Sequence, residues 1–172
     1  MFQGCTNLRK VVMPDLQKCT RTDYMFFCTQ RGHRNWGSLE TVDLGTLPST
    51  TDATFMFYGQ QKLKSISLPD LSNLKTSNCM FYDCINLQDA SLKKLDNLDI
   101  ATDMFYNCTN LVNVELDDMP SLTNANQMFA KCTSLEYPPT LTTPNLANVG
   151  YMFYLCENLN SVIFNGASFG LN

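Results

Sequence analysis

The chain has 172 residues, 44% of them hydrophobic and 16% charged, with a formal net charge of −4. This composition is too apolar for a disordered tail. The acidic balance, with no basic stripe, argues against nucleic acid as a partner. No run of eighteen apolar residues is present, so no segment reads as a membrane-spanning helix.

Met-Phe pairs stand at Met1-Phe2, Met25-Phe26, Met56-Phe57, Met80-Phe81, Met104-Phe105, Met128-Phe129 and Met152-Phe153. Their spacing is 24 residues except for one interval of 31. A fixed period in the twenties is the mark of a solenoid, whose units stack only on their neighbours. We number positions within a unit from its Met. Position 2 is always Phe. Position 5 is Cys at Cys5, Cys84, Cys108, Cys132 and Cys156. Position 8 holds Leu8, Leu39, Leu63, Leu87, Leu111, Leu135 and Leu159.

The first unit predicts a short strand around Val11 and Met13. The second carries an insertion, Gln30 to Gly37, before its strand at Val42 and Leu44. The third, fourth and fifth place Ile66 and Leu68, Ala90 and Leu92, and Val114 and Leu116 at positions 11 and 13. Polar residues alternate with these, the period-two pattern of a half-buried strand. One strand per unit requires parallel pairing, because each return crosses the whole coil. The sixth unit reads Leu135-Glu136-Tyr137-Pro138-Pro139-Thr140-Leu141. Its prolines cannot donate ladder hydrogen bonds, so the sheet is expected to be irregular there. The seventh unit restores Val162 and Phe164. Thr102-Asp103 and Asn126-Gln127 precede Met-Phe and suggest an N-cap, so the return path is expected to contain a short helical turn.

The pattern M-F-x-x-C-x-x-L-x-x-V-x-L-P-x-L resembles the BspA-type leucine-rich repeat of bacterial surface proteins. The second and third units depart most, with Thr29 and Gln60 where Cys is expected. The sixth is similar to a Pro-rich variant. The resemblance implies an α/β solenoid, a leucine-rich repeat with one short parallel strand and a short helical turn per unit, in seven units. It is expected to span residues 1–172 as a single domain. Met1 falls inside the repeat with no leader before it, so the chain is expected to be a fragment of a longer protein.

The repeating cysteines occupy one inward position and are expected to be free thiols packed as small hydrophobes. No Cys/His spacing suits a metal, and no cofactor is implied. The sequon Asn107-Cys108-Thr109 falls on a core position. The single His, His33, lies in the insertion. Paired with Cys28 it lacks a third, orienting residue, and no catalytic motif appears. No enzymatic activity is expected.

A non-catalytic binding role remains. The insertion holds Arg31, His33, Arg34 and Trp36, and Arg and Trp are common at interface hot spots. The Tyr column at position 3 (Tyr58, Tyr82, Tyr106, Tyr154) reads as half-buried packing on the convex side. The strand face presents Lys10, Asp43, Asp89, Glu115 and Tyr137 outward, the side these solenoids commonly use for binding. The resemblance implies an adhesin-like module at a bacterial cell surface, binding a protein or glycan on host or neighbouring cells. The alternative is a structural or accessory subunit of a cell-envelope assembly, such as an outer-membrane nutrient-uptake complex.

Overall fold

The computed structural model describes residues 1–29 and 36–166. Its strands follow in order: β1 (Lys10–Val12), β2 (Thr41–Asp43), β3 (Ser65–Leu68), β4 (Asp89–Leu92), β5 (Asn113–Leu116), β6 (Leu141–Thr142) and β7 (Phe164–Asn165). All pairs are parallel: β1 with β2, β3–β4–β5 as one sheet, and β6 with β7. The register is one full period, with Ile66 opposite Ala90 and Ala90 opposite Val114. The strands bury alternate residues, such as Ile66 and Leu68, and expose Ser65 and Ser67 between them. The period-two reading is confirmed.

The core is a set of columns. Phe2, Phe26, Phe57, Phe81, Phe105, Phe129 and Phe153 stack face to face, with centroids 5.2 to 5.6 Å apart and planes within 12°. Leu63, Leu87, Leu111 and Leu135 form a second buried column. The cysteines are free. Four thiols of the position-5 column share one task. The Sγ atoms of Cys84, Cys108, Cys132 and Cys156 donate to the carbonyls of Phe57, Phe81, Phe105 and Phe129, at 3.0 to 3.2 Å. Gln60 takes over this role where Cys is missing: its Nε2 donates to the Phe26 carbonyl, and its Oε1 accepts from the Leu39 amide.

The expected helical turn is absent among the described residues, so the fold is a β-solenoid and not an α/β one. Hydrogen bonding explains the difference. Around Met56 the amides alternate in their targets. Phe57 and Gly59 donate to Met80 and Tyr82 in the next coil, while Met56 and Tyr58 donate three residues back to Ala53 and Phe55. Half of the donors a helix would need are committed to the neighbour. The residue before each Met (Tyr24, Phe55, Cys79, Asp103, Gln127, Tyr151) has φ of 52 to 57°. The residue after position 3 (Gly4, Gly59, Asp83, Asn107, Lys131, Leu155) has φ of 57 to 75°. The Met-Phe corners from Met56 to Met152 are therefore each bracketed by two left-handed residues, a conformation that ends a helix rather than extends it. Of the residues read as N-caps, Asp103 and Gln127 are themselves left-handed, and Asn126 gives its amide to Asn124 Oδ1 at 3.0 Å, which closes an Asx turn.

Seven equivalent units are not supported either. About four turns form a regular β-solenoid, and β3, β4 and β5 are its longest continuous sheet. The chain makes no strand between Glu136 and Thr140, and β6 begins late, at Leu141. Leu141 pairs with Phe164 and so fills the inward position that Thr140 vacates. The irregularity expected at Pro138 and Pro139 is present.

Candidate functional site

The β3–β4–β5 sheet sets its outward side chains in two rows. Register puts Ser65, Asp89 and Asn113 side by side, and Ser67, Ser91 and Glu115 beside them. Neighbouring strands lie about 4.8 Å apart, so these groups repeat at nearly that step. They are linked: Asn113 Nδ2 donates to Asp89 Oδ1 at 2.6 Å, and Ser91 Oγ donates to Glu115 Oε2 at 3.1 Å. Lys93 Nζ lies 3.4 Å from both Glu115 and Asp117. The rows floor a shallow depression of about 540 Å³, closed on one side by Val42. Hydroxyl, amide and carboxylate groups line it. That set both donates and accepts, and its carboxylates outnumber its cations.

The sequence-proposed residues fall into separate places. Asp89 and Glu115 share the depression. Lys10 and Asp43 are exposed on β1 and β2, outside the β3–β4–β5 sheet. Asp43 Oδ1 accepts from the Gly45 amide at 3.3 Å. Tyr137 is 64% exposed and borders a second hollow of about 420 Å³ with Val112, Asn113, Val114, Glu115 and Glu136. Glu115 belongs to both hollows. Arg31, His33 and Arg34 lie outside the described residues. Trp36 is half-buried, and its ring packs over Gly59. A Cβ on Gly59 would stand 2.7 Å from Trp36 Cε3, and φ there is +73°, so only glycine suits this corner. The Trp36 ring is thus partly spent on packing.

Sequence reading missed Lys93, which bridges two carboxylates, and Val112, 47% exposed at the mouth of the second hollow. Position 14 favours Pro (Pro14, Pro69) and position 9 is mostly polar, so neither pattern pointed to Lys93 or Val112.

The opposite face is a packing surface. Tyr58, Tyr82 and Tyr106 stack with centroids 4.8 and 4.5 Å apart. Lys131 Nζ sits 4.9 Å over the Tyr106 ring, where Ala130 breaks the column. Burial, first, then the neighbouring Tyr106 push the Tyr82 phenol up. Burial also raises the Asp83 and Asp103 carboxyls, Asp83 against an opposing hydrogen bond from Asn107 Nδ2 at 2.7 Å. Burial likewise pushes the Cys79 thiol up to about 12. Such thiols are held neutral and are poor nucleophiles.

The repeat geometry agrees with one family. The family described as BspA type leucine rich repeat region matches residues 38–160 in six copies. The chain belongs to that family. Its match begins beyond the 30–35 stretch and includes the Pro-rich unit. No curated protein and no solved structure matches the chain. A BspA-type repeat array suggests a protein-interaction module. Among the described residues no helix is long and apolar enough to cross a membrane.

Proposed function

We propose that this chain is a non-catalytic recognition module that binds a protein or glycan ligand through its strand face at a bacterial cell surface. The observation that carries the reading is the open depression in which Ser65, Ser67, Asp89, Ser91, Asn113 and Glu115 repeat in register. Rows of hydroxyls and carboxylates at the strand step suit a ligand with repeated hydroxyl or cationic groups. BspA-type repeat proteins are commonly surface-associated in bacteria, which supports the localisation. Lys10 and Asp43 extend the surface in this reading, and Arg31, His33 and Arg34 are further candidate ligand contacts.

The test uses the chain displayed against a glycan array and against immobilised extracellular-matrix proteins. Asp89→Lys and Ser67→Arg place bulk and positive charge in the depression from exposed positions, so the fold should survive. Each should weaken a bound ligand by about tenfold or more. Unchanged binding by both variants sinks the strand face as the site. Stoichiometric recovery with membrane proteins from native cells would instead favour an accessory subunit.

A further inference from the structure

Where the sixth unit abandons its strand, β5 is left with an open edge. In a parallel ladder, successive residues point their backbone groups to opposite sides. The amides of Asn113 and Asp117 donate to Gln88 and Leu92, so these residues face β4. The Val112 carbonyl and the backbone groups of Val114 and Leu116 therefore point the other way. In the preceding coil the Gln88 carbonyl accepts from Val112 and Asn113. One coil on, the Val112 carbonyl and the N–H and C=O of Val114 and Leu116 have no backbone partner among the described residues. Pro138 and Pro139, one period on from Val114 and Glu115, have no N–H groups to offer a ladder.

The side chains at the same edge are open as well. Ile66, Leu68, Ala90 and Leu92 are 0 to 4% exposed, whereas Val114 and Leu116, their counterparts on β5, are only half-buried. Val112 and Tyr137 stand exposed beside the hollow of about 420 Å³ that follows the edge. Its rim is acidic. Glu136 has no ion-pair partner among the described residues, and Glu115 shares Lys93 with Asp117.

We propose that this edge is a docking site for an extended peptide segment of a protein partner, added as a strand to β5. The segment alternates apolar residues, which cover Val114 and Leu116, with basic residues, which meet Glu115 and Glu136. The main-chain bonds hold the segment, and the acidic rim selects its charge. An exposed edge is a hazard unless blunted or used. The two prolines keep the neighbouring coil from closing it. This inference rests on the reading of the chain as a recognition module and adds the partner's class.

Amide hydrogen exchange of the whole chain tests it, with a seven-residue peptide of alternating valine and lysine as the probe. In the free chain the amides of Val114 and Leu116 should exchange at least about tenfold faster than those of Ile66 and Leu68. The peptide at millimolar concentration should slow both about tenfold or more. The same peptide N-methylated at alternate amides, and one with glutamate for lysine, should not. Tyr137→Ala and Glu115→Lys should weaken protection, and Asp89→Lys should leave it within about twofold. That last variant separates failure here from failure of the depression as a ligand site. Protected Val114 and Leu116 amides in the free chain overturn the open edge. No slowing by the valine-lysine peptide, or equal slowing by the N-methylated one, overturns strand addition.

Discussion

At the scale of single residues, one column position is filled wrongly and one carboxylate is placed at a cost. Position 16 holds Leu71, Leu95 and Met119, all buried, and then Thr143. Thr143 is fully buried, and its Oγ1 has no hydrogen-bond partner among the described residues. An unpaired buried hydroxyl costs on the order of 1–3 kcal/mol. Thr143→Val keeps the shape and removes the orphan, so it should stabilise the fold by about 1 kcal/mol in chemical denaturation. A destabilised variant would mean the hydroxyl is satisfied. Asp103 gives a pH-dependent case. Burial raises its carboxyl above the ordinary 3.8, and among the described residues no hydrogen bond to that side chain offsets it. The folded state therefore holds the proton more tightly than the unfolded chain. The charged form penalises the fold, and the penalty sets in as pH rises through the carboxylate range. Asp103→Asn should raise the melting temperature at pH 7, and asparagine also tolerates its left-handed backbone. The gain from removing the charge should vanish below about pH 3.8. A gain that is the same at pH 3 and pH 7 would assign the effect to backbone preference instead.

At the scale of elements, the strands were legible and the corners were not. Alternation around Ile66, Ala90 and Val114 carries both burial and period in one dimension, so a sequence suffices. The corners depend on bonds that leave the coil. Asp103 and Asn126 look like N-caps because Asp and Asn favour both helix starts and Asx or left-handed turns. Only the amides of Phe57, Gly59 and their equivalents, donated to the next coil, decide between them. The same holds for the asparagine ladders. Asn86, Asn110 and Asn158 donate Nδ2 to carbonyls at Gln61, Ile85 and Thr133, and Asn73, Asn97 and Asn145 do so at Pro48, Ser72 and Pro120. Their recurrence was visible in the sequence, but their acceptors lie about one period away. In the candidate site, Asp89 and Glu115 could be placed on the outward face by strand parity alone. Trp36 could not be assigned to packing, because the contact is with Gly59 in the next coil. The corner geometry yields its own prediction. Leu155 is 45% exposed at φ +57°, where a branched aliphatic residue is strained and glycine or asparagine is not. Leu155→Gly should stabilise by about 1 kcal/mol, read from the denaturation midpoint. A loss of stability would show that its side chain contributes packing that outweighs the strain.

At the scale of the whole molecule, stability is a sum over neighbours, and one seam is weaker than the rest. Each coil touches only the coils beside it, so a solenoid behaves as a one-dimensional chain of coupled units. The coupling between β5 and the next coil lacks strand hydrogen bonds, whereas the Phe105–Phe129 stack and the Cys132–Phe105 bond persist across it. The Met128 and Met152 coils are therefore held to the rest without a strand ladder, by the corner columns together with separate bonds such as Met119 N–H to the Thr142 carbonyl, the Asn124–Asn148 bridge and Asn145 to the Pro120 carbonyl. Two consequences can be measured together. Amides of Phe129, Cys132 and Leu146 should exchange faster than those of Phe81, Cys84 and Leu98, because opening the seam releases the former without breaking the β3–β4–β5 sheet. Phe105→Ala removes the ring on which the seam depends, and a buried Phe→Ala change costs about 3–5 kcal/mol. In a fully cooperative fold that loss would appear equally in every amide. Here it should fall more heavily on the coils beyond Met128, splitting the thermal transition into two. Phe2→Ala, whose ring stacks only on Phe26, should cost less and leave the transition single. Uniform exchange from Phe81 to Leu146, with one transition in the Phe105→Ala variant, would mean that the bonds and columns outside the strands make the stack cooperative and that the prolines interrupt the sheet without uncoupling it.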